Sequence, residues 1–163
     1  MEKIDIYKNN RKIIKLNKKL SDIFEYFTFQ KIPFDIKHAY RIKYLFNFEY
    51  DYGFIEYKRT LSTYNNKKEK LLRQIYWRIS ESTEYSNLDI PFCYYIIGLE
   101  DNGKASNQDI KELEISLQTI LDSINNTNLK YKYVYLFNEL NKSYLLVIKL
   151  WIEDDFDDFT YFV

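Results

Sequence analysis

The sequence predicts an α/β (α+β) domain: a single mixed sheet with two main helices packed on it, a C-terminal β-hairpin and an N-terminal α/β extension. Three observations carry that expectation. From Gly53 onward the segments alternate strand, helix, strand, helix, strand, strand, the order of a layered α/β domain. The run Phe92 to Leu99 is almost wholly apolar and short, the pattern of a strand buried on both faces. Two further segments place apolar residues at helical spacing.

The elements follow in order. Ile4 and Ile6, then Ile13, Ile14 and Leu16, read as two short strands around an Asn9-Asn10 turn. Ser21 is placed to cap a short helix through Ile23, Phe24, Tyr26 and Phe27, which Pro33 ends. Tyr44 to Tyr50 is aromatic and alternating, a strand pattern, and Phe54 to Leu61 alternates with β-formers. Leu71, Leu72, Ile75 and Ile79 predict a helix from Lys67 to about Ser82, with Glu69 four residues before Arg73. Ser106 or Asn107 is expected to cap the next helix, whose stripe is Ile110, Leu113, Leu117, Ile120, Leu121 and Ile124. Lys130 to Phe137 and Ser143 to Ile152 then form a hairpin around Asn138 to Lys142. The 163 residues read as one domain: an N-terminal extension over 1–47, a core over 48–152 and an acidic, aromatic tail over 153–163.

Composition excludes several classes of function. The chain has 24 basic and 24 acidic side chains and no formal net charge, so no global basic field gathers nucleic acid. The charge is uneven, however. Residues 1–78 hold most of the Lys and Arg, and Glu153 to Asp158 is acidic, which leaves local RNA contact open. One cysteine, Cys93, rules out an intramolecular disulfide and a Cys-based zinc site. One histidine, His38, rules out multi-His metal sites and argues against a Ser-His-Asp triad. No apolar run suits a signal peptide or a membrane span, so a cytoplasmic protein with no membrane partner is expected. With 17 Tyr and 12 Phe against 3 Gly and 2 Pro, the residue choice favours AT-rich codons, as in an AT-rich genome of a large DNA virus or a protist.

Three segments stand in an order that resembles a known family: Tyr52-Gly53-Phe54-Ile55-Glu56-Tyr57-Lys58, Arg73-Gln74-Ile75-Tyr76-Trp77-Arg78-Ile79 and Ile97-Gly98-Leu99-Glu100-Asp101-Asn102-Gly103. They look like the domain preceding the GTPase core in the GTP-binding protein 1/2 (elongation-factor-like) family. Ser116 to Ile120 and Leu145 to Lys149 continue the similarity, which covers roughly residues 48–152. The chain has no G-x-x-x-x-G-K-[ST] segment. The resemblance therefore implies a stand-alone domain that neither binds nor hydrolyses nucleotide. It further implies a role beside translation or RNA surveillance, through a protein partner, the ribosome or RNA.

The same residues resemble, more distantly, the Schlafen-type (AlbA-like) domain. There an acidic residue precedes a Glu-Phe-Lys strand, and a later strand ends in Gly-Val-Asp-Asp. Here Asp51 precedes Glu56-Tyr57-Lys58, and Gly98-Leu99-Glu100-Asp101 follows. That resemblance implies Asp51, Glu56 and Asp101 as catalytic carboxylates of a ribonuclease, holding Mg²⁺ or Mn²⁺ against a phosphodiester. The Asn and paired Gly that usually precede the second Schlafen strand are absent. Lys58, Arg59 and Arg78 are the accompanying RNA-contact candidates.

Each candidate has a plainer reading. Asp51 and Asp101 suit turns, and Glu56 suits an ion pair with Lys58 or a helix lysine. Trp77 reads as space-filling under the sheet, with RNA stacking as the alternative. Cys93 reads as a small buried hydrophobe and His38 as an ordinary surface residue. Phe24, Tyr26, Phe27, Phe29, Phe34 and Tyr40 either form a partner surface or pack back onto the open sheet. The expected function is a non-catalytic accessory or binding domain with no cofactor. The alternatives are the metal-dependent RNase and a homo-oligomeric structural protein.

Overall fold

The computed structural model describes residues 3–30, 39–49, 53–84 and 91–152, excepting the side chains of 3–10, 28–30 and 84. Its elements are α1 (Lys3–Gln30), β1 (Tyr40–Ile42), β2 (Ile55–Lys58), α2 (Lys68–Glu81), β3 (Phe92–Ile97), α3 (Ile110–Ile124), β4 (Leu129–Asn138) and β5 (Ser143–Ile152). They build one five-stranded sheet in the order β1-β4-β5-β3-β2. β2 and β3 pair in parallel, as do β1 and β4, while β5 runs antiparallel to both β3 and β4. Four strands thus share one direction, and β5 lies between β3 and β4 against them. The C-terminal hairpin forms as the alternating runs predict.

β3 explains the layering. All six of its residues are buried, because successive side chains enter opposite layers. Tyr95 turns to α2, where its hydroxyl donates to Gln74 Oε1 at 3.0 Å. Tyr94 turns the other way and stacks on Phe24 of α1, ring centroids 6.1 Å apart. α2 and α3 therefore cover one face and α1 the other.

α2 and α3 form where their apolar periodicity predicts. Leu71, Ile75 and Ile79 are buried from α2, as are Leu113, Ile120 and Ile124 from α3. The cap of α3 is Asp109 rather than Ser106 or Asn107: its Oδ1 accepts the Glu112 N–H at 2.8 Å. Asn107 instead takes a left-handed backbone conformation in the preceding turn.

The N-terminal expectation is corrected. In place of two strands and a short helix there is the single 28-residue α1. Ile13, Leu16, Leu20, Ile23 and Phe27 recur at three- and four-residue steps, and all are buried against the sheet. The β-branched pair Ile13-Ile14 mimics a strand locally. The period that matters is the longer one, since burial of a whole face outweighs local propensity. The aromatics of this segment pack inward: Tyr26, Phe27 and Tyr40 contact one another at 5.3–6.0 Å between centroids. Phe29 and Phe34 lie outside the described side chains, as does His38.

A second correction concerns Tyr44 to Tyr50. The strand there is β1, three residues earlier, and 43–49 carries no strand. Its alternation is real, with Tyr44 and Phe46 turned inward and Leu45 and Phe48 outward. Its backbone partners are side chains and turns, however. Asn138 Nδ2 donates to the Tyr44 carbonyl at 2.8 Å, and the Tyr44 N–H donates to Asn138 Oδ1 at 3.4 Å. Gly103 of the turn after β3 packs so closely that an added Cβ would lie 2.4 Å from the Phe46 carbonyl oxygen. β2 is also shorter than the Phe54 to Leu61 alternation predicts. It stops at Lys58, because the Leu61 N–H is taken by Ser116 Oγ of α3 at 2.9 Å.

Candidate functional site

Two places follow from this geometry: the carboxylates around the end of β2, and a groove at the carboxyl ends of the parallel strands. Open α/β sheets bind ligands at that end.

Glu56 lies on the α2 face of β2 and is buried. Its Oε2 accepts the Arg78 Nε–H at 2.5 Å, and its Oε1 is 3.4 Å from Lys58 Nζ. Arg78, only 3% exposed, also donates from NH1 to the Gly53 carbonyl at 3.0 Å. Lys58 is half-buried and donates to the Tyr64 hydroxyl at 2.8 Å. Burial would lower the Lys58 pKa, but Tyr64 and Glu56 outweigh it and raise it. The Glu56 carboxylate is thus engaged by two cations, one of them buried with it.

Asp101 is exposed on the turn after β3, and its carbonyl accepts the Glu49 N–H at 2.7 Å. Asp51 lies outside the described residues. Arg59 is exposed at the end of β2, while Arg78, expected at an RNA surface, is committed inside the fold. Among the described residues, no group of three or more His, Cys, Asp or Glu is placed to hold a metal ion.

The carboxylate that sequence reasoning missed is Glu49. β2 is an edge strand, and the Phe54 and Lys58 carbonyls face β3, where they accept the Tyr94 and Gly98 N–H groups. The Tyr57 N–H therefore points to the open edge, where Glu49 Oε2 accepts it at 2.6 Å. Burial, then the Glu56 charge, raises the Glu49 pKa to about 7, against the Tyr57 hydrogen bond and Arg78; Asp101 adds a smaller push upward. No local pattern marks Glu49, because its role is set by the free edge of a strand eight residues on.

The groove lies beside this cluster. Tyr44 to Phe48, Asn102 to Ala105, Asn107, Leu140 and Asn141 line a cavity of about 540 Å³. On its rim Leu45 is 82% exposed, Phe48 74% and Leu140 59%. Four asparagines, 47, 102, 107 and 141, and the single cation Lys104 supply its polar groups. Among the described residues these are the most exposed large apolar side chains.

Two other expectations resolve here. Trp77 is 43% exposed on the outer side of α2, its ring 4.8 Å from the Arg78 guanidinium, rather than filling space under the sheet. Cys93 is fully buried, as expected, and burial raises its thiol pKa.

No protein-family model matches the chain, and no curated protein matches it. The class of the molecule is therefore given by its fold, a mixed α/β sheet covered by helices. No helix among the described residues is long and apolar enough to cross a membrane.

Proposed function

We propose that the chain is a binding domain without catalysis of its own, which holds a protein partner in the groove at the carboxyl ends of β1, β3 and β4. The observation that carries this reading is the exposure of Leu45, Phe48 and Leu140 around one cavity. Three large apolar side chains held in water by an anchored loop have no role in the fold, but they suit apolar anchors of a partner. The asparagine amides both donate and accept, which matches the backbone of an extended peptide. Work beside translation or RNA surveillance, as the GTP-binding protein 1/2 resemblance implies, belongs to this proposal.

The metal-dependent RNase is the second reading. It is favoured by one observation, the nearness of Glu49 to Glu56 and Asp101 that its raised pKa reports. Against it stands the engagement of Glu56 by Arg78 and Lys58. An Mg²⁺ ion would have to displace a buried guanidinium to reach Glu56.

The test is selection of peptides from a displayed random library, with the affinity of enriched sequences measured by calorimetry. Leu45→Asp and Phe48→Asp leave the fold intact, since both side chains are exposed, and each is expected to weaken binding tenfold or more. Equal binding by both variants refutes the groove. A chain that enriches no peptide but doubles its mass with concentration in light scattering assigns the same surface to a homo-oligomer instead.

A further inference from the structure

At the opposite end of the sheet, on the α1 face, Phe92, Lys132, Lys149 and Trp151 line a second cavity of about 240 Å³. Lys132 and Lys149 stand directly opposite each other on β4 and β5, and Tyr94 stands opposite Lys149 on β3. Like charges facing each other across a strand pair are destabilising. The Lys149 ammonium lies 4.5 Å from the Phe92 ring centroid and 5.9 Å from that of Tyr94. Lys132 lies 6.0 Å from the Trp151 ring centroid. Burial, then the neighbouring Lys132, lowers the Lys149 pKa. Neither lysine is within ion-pair distance of a carboxylate among the described residues. Lys130, exposed, stands opposite Trp151 and adds a third cation.

Two opposed lysines set over aromatic rings fit a ligand that combines a phosphate with a flat ring. We propose that this groove binds single-stranded nucleic acid, a phosphate resting on Lys132 and Lys149 and a base stacking on Trp151. The phosphate relieves the repulsion between the lysines, and the half-buried indole gives a stacking surface for any base. Duplex is not expected to bind, because its bases are already stacked. The inference is independent of the partner groove, since the two lie at opposite ends of the sheet.

The experiment is fluorescence anisotropy of labelled eight-nucleotide RNA and DNA single strands with the full chain across a salt series. Trp151 emission is followed in a Trp77→Phe background, which leaves one indole of the two Trp. The expected result is salt-dependent binding of single strands with quenching of Trp151. Trp151→Ala should weaken it about tenfold or more. The pair Lys132→Gln with Lys149→Met should lower the slope of log affinity against log salt by about 1.4, roughly 0.7 per lost phosphate contact. Met keeps the Lys149 stem on its rings, and removing opposed charges should not lower the melting temperature. Lys132→Gln alone, at an exposed position, should lower the slope by about 0.7 and carries the test if the pair folds poorly. Equal slopes and affinities in wild type and variants overturn the proposal, as does binding only of free inorganic phosphate. It is also overturned if no oligonucleotide binds but the lysine variants alter Trp151 emission in the free chain, which assigns the groove to the acidic run Glu153 to Asp158.

Discussion

Replacing Glu56 by Gln separates a structural ion pair from a metal site. Glu56 and Arg78 are 5% and 3% exposed, and their contact is 2.5 Å. Removing one partner of a buried pair leaves the other charge uncompensated, a loss of about 3–5 kcal/mol. Gln keeps an oxygen that can accept the Arg78 Nε–H, which returns about 1 kcal/mol, and Arg78 retains the Gly53 carbonyl. The net expectation is about 2–4 kcal/mol of destabilisation. In a domain of this size about 1 kcal/mol moves the melting temperature by roughly 2–4 °C, so a fall of about 4–16 °C should appear in a circular-dichroism melt. Urea unfolding at 25 °C checks the free energy directly. A carboxylate held open for a metal among other acids behaves oppositely, since its removal relieves repulsion and raises the metal-free melting temperature. A Glu56→Gln variant melting at or above wild type would refute the reasoning. Arg78→Met in the Glu56→Gln background should recover part of the loss, because the buried charge is then gone.

Other consequences follow from the same neighbourhood. Glu49 titrates near 7 when folded, above its unfolded value, so the folded chain binds the extra proton between those two pKa values. Its contribution to stability is full below the unfolded carboxylate pKa and is lost as pH rises through about 7. Glu49→Gln should therefore be more stable than wild type at pH 8 and nearly equal to it at pH 5, as read by urea unfolding; a difference independent of pH contradicts this. Gly103→Ala places a Cβ 2.4 and 2.5 Å from the Phe46 and Asn47 carbonyl oxygens at a positive φ, and should cost more than about 1 kcal/mol. Hydrogen exchange should show the Glu49 amide, bonded to the Asp101 carbonyl, losing its protection in that variant. Asn138→Ala removes both bonds to the Tyr44 backbone and should cost about 1–3 kcal/mol, measured by the same unfolding assay.

How much of this was legible in the sequence depended on the range of the interaction that decides each element. α2, β3, α3 and the β4–β5 hairpin declare themselves, because each carries its own periodicity over several turns or pleats. α1 was obscured because Ile13-Ile14 and Asn9-Asn10 give strong local signals, whereas the helical stripe emerges only over Ile13 to Phe27. The Tyr44 to Glu49 segment alternates like a strand, yet its hydrogen bonds go to Asn138 and Asp101, more than fifty residues away. Glu56 was visible as a candidate from its strand motif. The Glu56–Arg78 pairing was not, since it depends on the placement of α2 over β2. Leu45, Phe48 and Leu140 carry no motif, and only the fold brings them to one rim.

The most direct test of the central claim measures one enriched peptide against wild type and Phe48→Asp by calorimetry, alongside incubation of both proteins with labelled RNA and Mg²⁺ or Mn²⁺. The account predicts saturable binding by wild type, a loss of tenfold or more in the variant, and intact RNA throughout. Metal-dependent cleavage that Asp101→Asn abolishes, with peptide affinity unchanged by Phe48→Asp, would contradict it and make the carboxylates beside β2 an active site.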